Sequence, residues 1–288
     1  MSPSAKDRLL LGVLRGCAAL AGLLVVVIAA FLILESVPAF RNVGWTRFFS
    51  DPAWHPAPRA EAGQFQMLPM LAGTLAVMAG AVLLATPLGV LSAVFCRYYA
   101  PPALGNAYRR LIELLSGIPS VVYGFWGLVT LVPLINQVRP PGASLLAGVL
   151  VVAIMILPTV ALMADGALAQ VPQEYLRAAA ALGLSRWTTV RAVVLPAAKY
   201  GLFTGVMLET GRAIGETMAT LMVCGNIVRF PQSVFDPVRT LTANIALEMA
   251  YALGDHRSAL FASGLLLLVL IVMLAGAAEW IGGEPARD

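Results

Sequence analysis

"ETGRAIGETMAT", residues 209–220, lies between two apolar runs, "GLFTGVML" before it and "LMVC" after it. Glu209, Arg212 and Glu216 fall within eight residues of one another. On an ideal helix, at 100° per residue, they share one face within about a 60° arc. A charge at the centre of a bilayer costs roughly 2.5–3.5 kcal/mol on insertion scales, so three unpaired ones would cost about 8–10 kcal/mol, the order of a whole domain's stability. In a membrane helix these side chains therefore cannot face lipid. They must pair, line a wet path, or both. The i,i+4 spacing of Arg212 and Glu216 predicts a pair along the helix. Gly211 and Gly215 add a small-xxx-small edge on which another helix can approach closely.

The rest of the chain says that a membrane is the right setting. Of 288 residues, 59% are hydrophobic and only 12% charged, and the mean hydropathy is +0.84. A soluble domain carries about 25% charged residues. The net charge of +4 is scattered, with no basic patch interleaved with aromatics, which argues against nucleic acid as a partner. Cys17, Cys96 and Cys224 each lie in or at the end of an apolar run, and their spacing suits neither a disulfide framework nor a metal cluster. His55 and His256 fall in polar connecting stretches, and nothing pairs them with a nucleophile. No catalytic residue and no metal ligand is expected, and the chain does not read as an enzyme. The first apolar run, Cys17–Leu34, is followed by "ESVPAF" rather than a small-residue cleavage motif, so it reads as a retained membrane helix.

A spanning helix needs about 20 mostly apolar residues. Six segments qualify, at about 12–36, 67–95, 112–136, 143–164, 201–226 and 259–281. The expected class is an all-α membrane protein, with residues 1–66 forming a first transmembrane helix and an outer loop, and residues 67–282 forming a five-helix core. With the N-terminus inside, the inner regions hold eleven basic residues (Lys6, Arg8, Arg15, Arg97, Arg109, Arg110, Arg177, Arg186, Arg191, Lys199, Arg287). The outer loops hold seven (Arg41, Arg47, Arg59, Arg139, Arg229, Arg239, Arg257). The excess predicts both termini in the cytoplasm.

The longest inner loop, about 165–200, carries helix signals of its own. In "VPQEYLRAAAALGLSRW", Pro172 suits a first turn, Glu174 favours that end through the dipole, and "LRAAAAL" is strong helix-forming sequence. Gly183 suits a left-handed residue that ends the helix, and Ser185 can cap a second one, "RWTTVRAVVL", expected to stop at Pro196. Trp187, Val190, Val193 and Val194 would share one side of it. Such a helix-turn-helix either rests on the bilayer or docks a cytoplasmic partner.

At these residues the chain resembles a family. Permeases of ABC importers carry a cytoplasmic "EAA" loop: Glu-Ala-Ala, three residues, Gly, nine residues, a β-branched residue, one more, then Leu-Pro. Here Arg177-Ala178-Ala179, Gly183, Val193 and Leu195-Pro196 fit that register. Arg177 departs from the usual Glu, and Glu174, one turn earlier, is the candidate substitute. "SGIPSVVYGFWGL" (116–128) and "GRAIGETMATLMVCGN" (211–226) narrow the resemblance to permeases of Pst-type phosphate importers, and "GETMATLMV", "WHPAP", "LAGTLAV" and "ATPLGV" resemble their PstC-type subunit. Glu209 departs from that pattern.

The resemblance implies a type I ABC importer permease fold in the bacterial cytoplasmic (inner) membrane. It implies a second, homologous PstA-like permease, two PstB-like ATP-binding subunits on the coupling loop, and a PstS-like phosphate-binding protein outside. The chain has no Gly-x4-Gly-Lys-Ser/Thr pattern, in keeping with ATP use by a partner and no cofactor here. Arginine is the side chain expected for phosphate, because its charged planar fork donates two hydrogen bonds at once. Arg212 is thus the candidate contact for the anion, with Glu216 orienting it, against the alternative of an ion pair that only fixes packing. Two carboxylates and one arginine sum to a negative charge, which calls for a protonated Glu or an arginine from the partner permease.

Ser116, Ser120, Tyr123 and Gly127 align on one face of the third segment, where Pro119 predicts a kink. They line a pore or make ordinary interhelical hydrogen bonds. "GWTRFFSDPAWHPAP" (44–58) reads as an outer loop that touches the binding protein or forms an aromatic belt. Two other readings stand beside phosphate import: a permease for molybdate, tungstate or sulfate, and a membrane scaffold that reports phosphate status.

Overall fold

The structure is a computed structural model describing residues 5–282. Arg287, counted above among the inner charges, lies outside the described residues. In chain order the helices are α1 (Ala5–Ala39), α2 (Arg47–Ser50), α3 (Leu68–Tyr98), α4 (Pro102–Ser116), α5 (Ser120–Trp126), α6 (Val132–Val138), α7 (Leu145–Ala169), α8 (Gln173–Ala181), α9 (Arg186–Thr189), α10 (Leu195–Gly215), α11 (Met218–Val223), α12 (Leu241–Glu248) and α13 (Asp255–Gly282). Strands β1 (Trp54–His55) and β2 (Gln64–Phe65) form a small antiparallel pair in which Trp54 faces Phe65. Among the described residues, six helical segments are long and apolar enough to cross a membrane: Leu9–Gly44, Leu68–Tyr98, Ser120–Val138, Leu145–Ala169, Arg186–Gly215 and Asp255–Ala277. The chain divides into two compact units.

The first unit holds the residues up to Gln66 together with Glu248–Leu268. The stretch 44–58 is no loose loop. Phe48, Trp54 and Phe65 are buried, with edge-to-face contacts between Phe48 and Phe65 and between Trp54 and Phe65. Trp54 Nε1 donates to Glu248 Oε2 at 2.9 Å, and the same oxygen lies 2.9 Å from His256 Nε2. His256 is therefore not in a polar connector, as its neighbours suggested. It opens α13 and is buried against a carboxylate.

The second unit holds Met67–Leu247 and the residues from Val269 onward. Its centre is the pairing of α3 with α7, both apolar on nearly every side. Glycines let them meet: a Cβ on Gly80 would stand 2.7 Å from Val149, and one on Gly89 2.7 Å from Val160 and 3.1 Å from the Ala161 backbone nitrogen. Ser144 caps α7 by accepting from Ala147 N. Close approach of this kind is how membrane helices gain dispersion energy in a solvent as apolar as themselves.

Two spans differ from the expected segments. The third is not one helix over 112–136. The chain breaks at Gly117–Pro119, so α4 ends before the span and α5 begins it. Pro119 has no N–H and disfavours helical geometry in the residue before it, so the break is complete rather than a kink. Ser116, Ser120 and Tyr123 therefore do not lie along a single helix. The fifth span starts earlier than 201 and stops at Gly215, before 226.

The helix expected to stop at Pro196 runs through it. A wide π turn, Val190–Val194, joins α9 to α10, and the same device at Gly127–Leu131 precedes Pro133. Opening the turn relieves the clash between a proline ring and the carbonyl four residues back. The loop at about 165–200 keeps its predicted turn, with Gly183 left-handed at φ +68° and the Ser185 hydroxyl accepting from Thr188 N at 3.2 Å.

We expect Gly89→Leu to cost about 1–3 kcal/mol by overpacking the α3–α7 contact. It should appear as a lower melting temperature of the detergent-purified chain, and an unchanged melting curve would refute the close-contact reading.

Candidate polar site at the end of α10

Glu209 and Arg212 occupy the last two turns of α10. Glu209 is 6% exposed, and the Arg212 side chain is 37% exposed. Arg212 Nη1 stands 3.9 Å from Glu209 Oε2, an ion pair too long to be a hydrogen bond. That oxygen is already engaged: Thr159 Oγ1, from α7, donates to it at 2.6 Å. Tyr123 on α5 lies within Coulombic reach of the Arg212 charge.

The predicted pair between Arg212 and Glu216 does not form. Helix α10 ends at Gly215, and Glu216 turns to extended geometry with ψ 126°. Its carboxylate accepts from Ala219 N at 2.9 Å at the start of α11. Its carbonyl accepts from Thr242 Oγ1 at 2.8 Å and Thr220 Oγ1 at 3.1 Å. The i,i+4 geometry required an unbroken helix, and the break removes it. Glu216 holds two helix ends together instead.

The other break is repaired in a similar way. Pro119 cannot donate to the carbonyl four residues back, Leu115 O. Tyr123 Oη donates to that carbonyl at 3.0 Å, and Ile118 N at 3.2 Å. Ser116 turns back to donate to Glu113 O at 2.7 Å, and Ser120 is half-buried as the first residue of α5. Gly124 then lets α5 touch α11, where an added Cβ would meet Ala219 Cα at 2.8 Å. The chain thus brings the α5 start, the α10 end and the α11 start together, although the expected serine stripe is absent.

The loop at about 165–200 presents a different surface. Its inward residues Val171, Leu176, Val190 and Val194 pack with Val94 of α3 and with Ala164 and Leu168 of α7. Ala179 is buried, Leu195 is half-buried, and Glu174, Arg177, Ala178, Gly183 and Pro196 are exposed. So are Tyr175, Leu182 and Trp187, the last at 59%, so Trp187 does not share the buried side of Val190 and Val194. Just above this loop Asp165 of α7 binds two arginines. Arg97 Nη2 lies 2.8 Å from its Oδ1, and Arg109 Nε 2.9 Å from its Oδ2. The hydrogen bond with Asp165, and then its charge, push the Arg109 pKa up. Neither this clamp nor Thr159 carries a signal in the sequence, because their partners lie tens of residues away.

A known family matches residues 85–282, described as the binding-protein-dependent transport system inner membrane component. The chain belongs to this family. It is 39% identical over 251 residues to the probable ABC transporter permease protein YqgH of Bacillus subtilis, covering 85% of this chain and 81% of that one. It is 33% identical over 276 residues to the phosphate transport system permease protein PstC of Mesorhizobium japonicum, covering 88% and 83%. A protein of the same name from Haemophilus influenzae is 32% identical over 88% of this chain and 85% of its own length. The fold is shared with a chain of the MetNI methionine ABC transporter (TM-score 0.58, 22% identity, 75% of this chain and 92% of that one). It is shared also with a chain of a bacterial ABC transporter that imports alginate (TM-score 0.63, 13% identity, 98% and 100%). The chain is a multi-pass membrane protein and a transport subunit, with the ATPase and binding-protein partners general to such importers.

Tyr123→Phe should cost about 0.5–1.5 kcal/mol by removing a donor from the Leu115 carbonyl. A melting temperature equal to the parent's would show that the hydroxyl does not hold the break.

Proposed function

We propose that this chain is the PstC-type permease subunit of an ATP-driven importer of inorganic phosphate, with Arg212 contacting the anion in transit. The observation that carries the reading is the state of that arginine. Among the described residues its guanidinium makes one long ion pair and no hydrogen bond, although it ends a membrane helix beside a break. The side chain is 37% exposed, so its planar fork is open to an incoming ligand, and an unfilled fork suits the paired oxygens of a phosphate. The similarity to permeases named for phosphate transport supports the choice of anion. Arg212, with Glu209, Glu216 and Tyr123, lines the proposed path, and Ser116 and Ser120 flank its break.

The remaining assembly follows from the same reading. A homologous PstA-like permease completes the path. Two PstB-like subunits hydrolyse ATP, docked on the exposed tip of the α8–α9 turn, and a PstS-like protein delivers phosphate from outside. Both termini lie in the cytoplasm, as the excess of inner lysine and arginine supports.

Uptake of labelled phosphate by cells whose only copy of the subunit is the parent or Arg212→Gln tests the proposal, with membrane levels matched. A loss of at least about tenfold is expected for the variant, the effect of about 1.4 kcal/mol in the barrier. No competition by excess sulfate or molybdate is expected in the parent. Unchanged uptake would make the charges a packing device, and competition by molybdate or sulfate would reassign the anion. Separately, proline cannot adopt the φ of +68° found at Gly183. Gly183→Pro should leave ATP hydrolysis running without uptake in membrane vesicles holding the whole importer, and normal uptake there would sink the docking-turn reading.

A further inference from the structure

Glu209 is one helical turn before Arg212, in the position from which a carboxylate can swing onto the arginine. It does not. Its Oε2 is held by the Thr159 hydroxyl of α7 at 2.6 Å and stands 3.9 Å from Arg212 Nη1. Thr159 is itself held, sharing its one hydrogen with the Ile156 carbonyl at 2.9 Å. The remaining nearby carboxylate, Glu216, is committed to Ala219 N. Glu209 is thus the only carboxylate paired with Arg212 among the described residues, and a neighbouring helix keeps it at a distance.

We propose that Thr159 is a positioning residue that restrains Glu209, setting how strongly that carboxylate competes with the transported anion for Arg212. The inference rests on the reading of Arg212 as the anion contact. Glu209 and a phosphate oxygen are rivals for the same fork. Each Coulombic interaction strengthens as the charges close. With the hydroxyl in place, Glu209 lowers the cost of keeping Arg212 charged within the bundle without occupying its donors. Without the hydroxyl, Glu209 closes on Arg212, and an arriving anion must displace it. The apparent affinity falls, while the steps after binding are unaffected.

The test is the rate of phosphate uptake against phosphate concentration in cells carrying the whole importer, normalised to membrane level. Thr159→Val, which keeps shape and loses the hydroxyl, should raise the KM by about 3–10-fold, the size of one lost hydrogen bond, with the maximal rate kept. Thr159→Ser should recover the parental KM. Glu209→Gln removes the rival charge, and should lower the KM alone and reverse the effect of Thr159→Val in the double variant. A Thr159→Val variant that loses only maximal rate, or a double variant that keeps the raised KM, would overturn the inference. If Thr159→Val does not accumulate, Glu209→Gln alone decides, an unchanged KM refuting it. Arg212→Gln run in parallel separates the two claims: if it transports like the parent, the anion contact is wrong. If it is inactive while Thr159→Val keeps the parental KM, only the restraint is wrong.

Discussion

A backbone N–H or C=O left without a partner in hydrocarbon costs several kcal/mol, because no water is there to replace the lost bond. Most of what is polar in the second unit answers to that cost. The chain breaks at Pro119, just before the third span begins, and at Glu216, just after the fifth ends, and each break exposes helix ends. Tyr123 returns a donor to Leu115 O, and Glu216 gives its carboxylate to Ala219 N and its carbonyl to two threonines. The polar side chains near the breaks are therefore mostly spent on the backbone. Arg212 stands out because its donors are not spent in this way.

How much could be read beforehand depended on how local each cause was. The helices long enough to span, the left-handed turn at Gly183 and the cap at Ser185 all follow from neighbours a few residues apart. The loop register and the "GETMATLMV" motif likewise placed the chain among importer permeases. The breaks were the main failure. "GETMAT" has no proline, and nothing in its hydropathy distinguishes a continuous helix from one that ends at Gly215. The end comes from tertiary hydrogen bonds, above all from Thr242, which is 26 residues further on. The Arg212–Glu216 pair was lost with it. Pro196 failed in the opposite sense: a proline that should have stopped a helix was absorbed by a π turn.

Distant pairs were invisible for the same reason. Thr159 looked like one more small residue in an apolar run, and Asp165 like an isolated charge. Both matter only because α7 lies against α3, α4 and α10, contacts whose small-residue spacing carries little information about partner identity. His256 was judged from its polar neighbours. Its setting is instead decided by Glu248, across a turn, and by Trp54, which is distant in sequence.

The helix that passes through Pro196 has a mechanical consequence. From Arg186 to Gly215 the chain is a single helical run of 30 residues, about 45 Å long at 1.5 Å per residue. One end is the exposed turn at Ser185, and the other carries Glu209 and Arg212. A rod of this kind passes on tilt and rotation without the slack of an intervening loop. A π turn, Val190–Val194, interrupts its regular α geometry near the Ser185 end. A tilt imposed at the turn would shift α10 past α7, and with it the distance between the Glu209 carboxylate and the Thr159 hydroxyl. Force at the membrane surface and charge at the proposed anion path would then be two ends of the same lever.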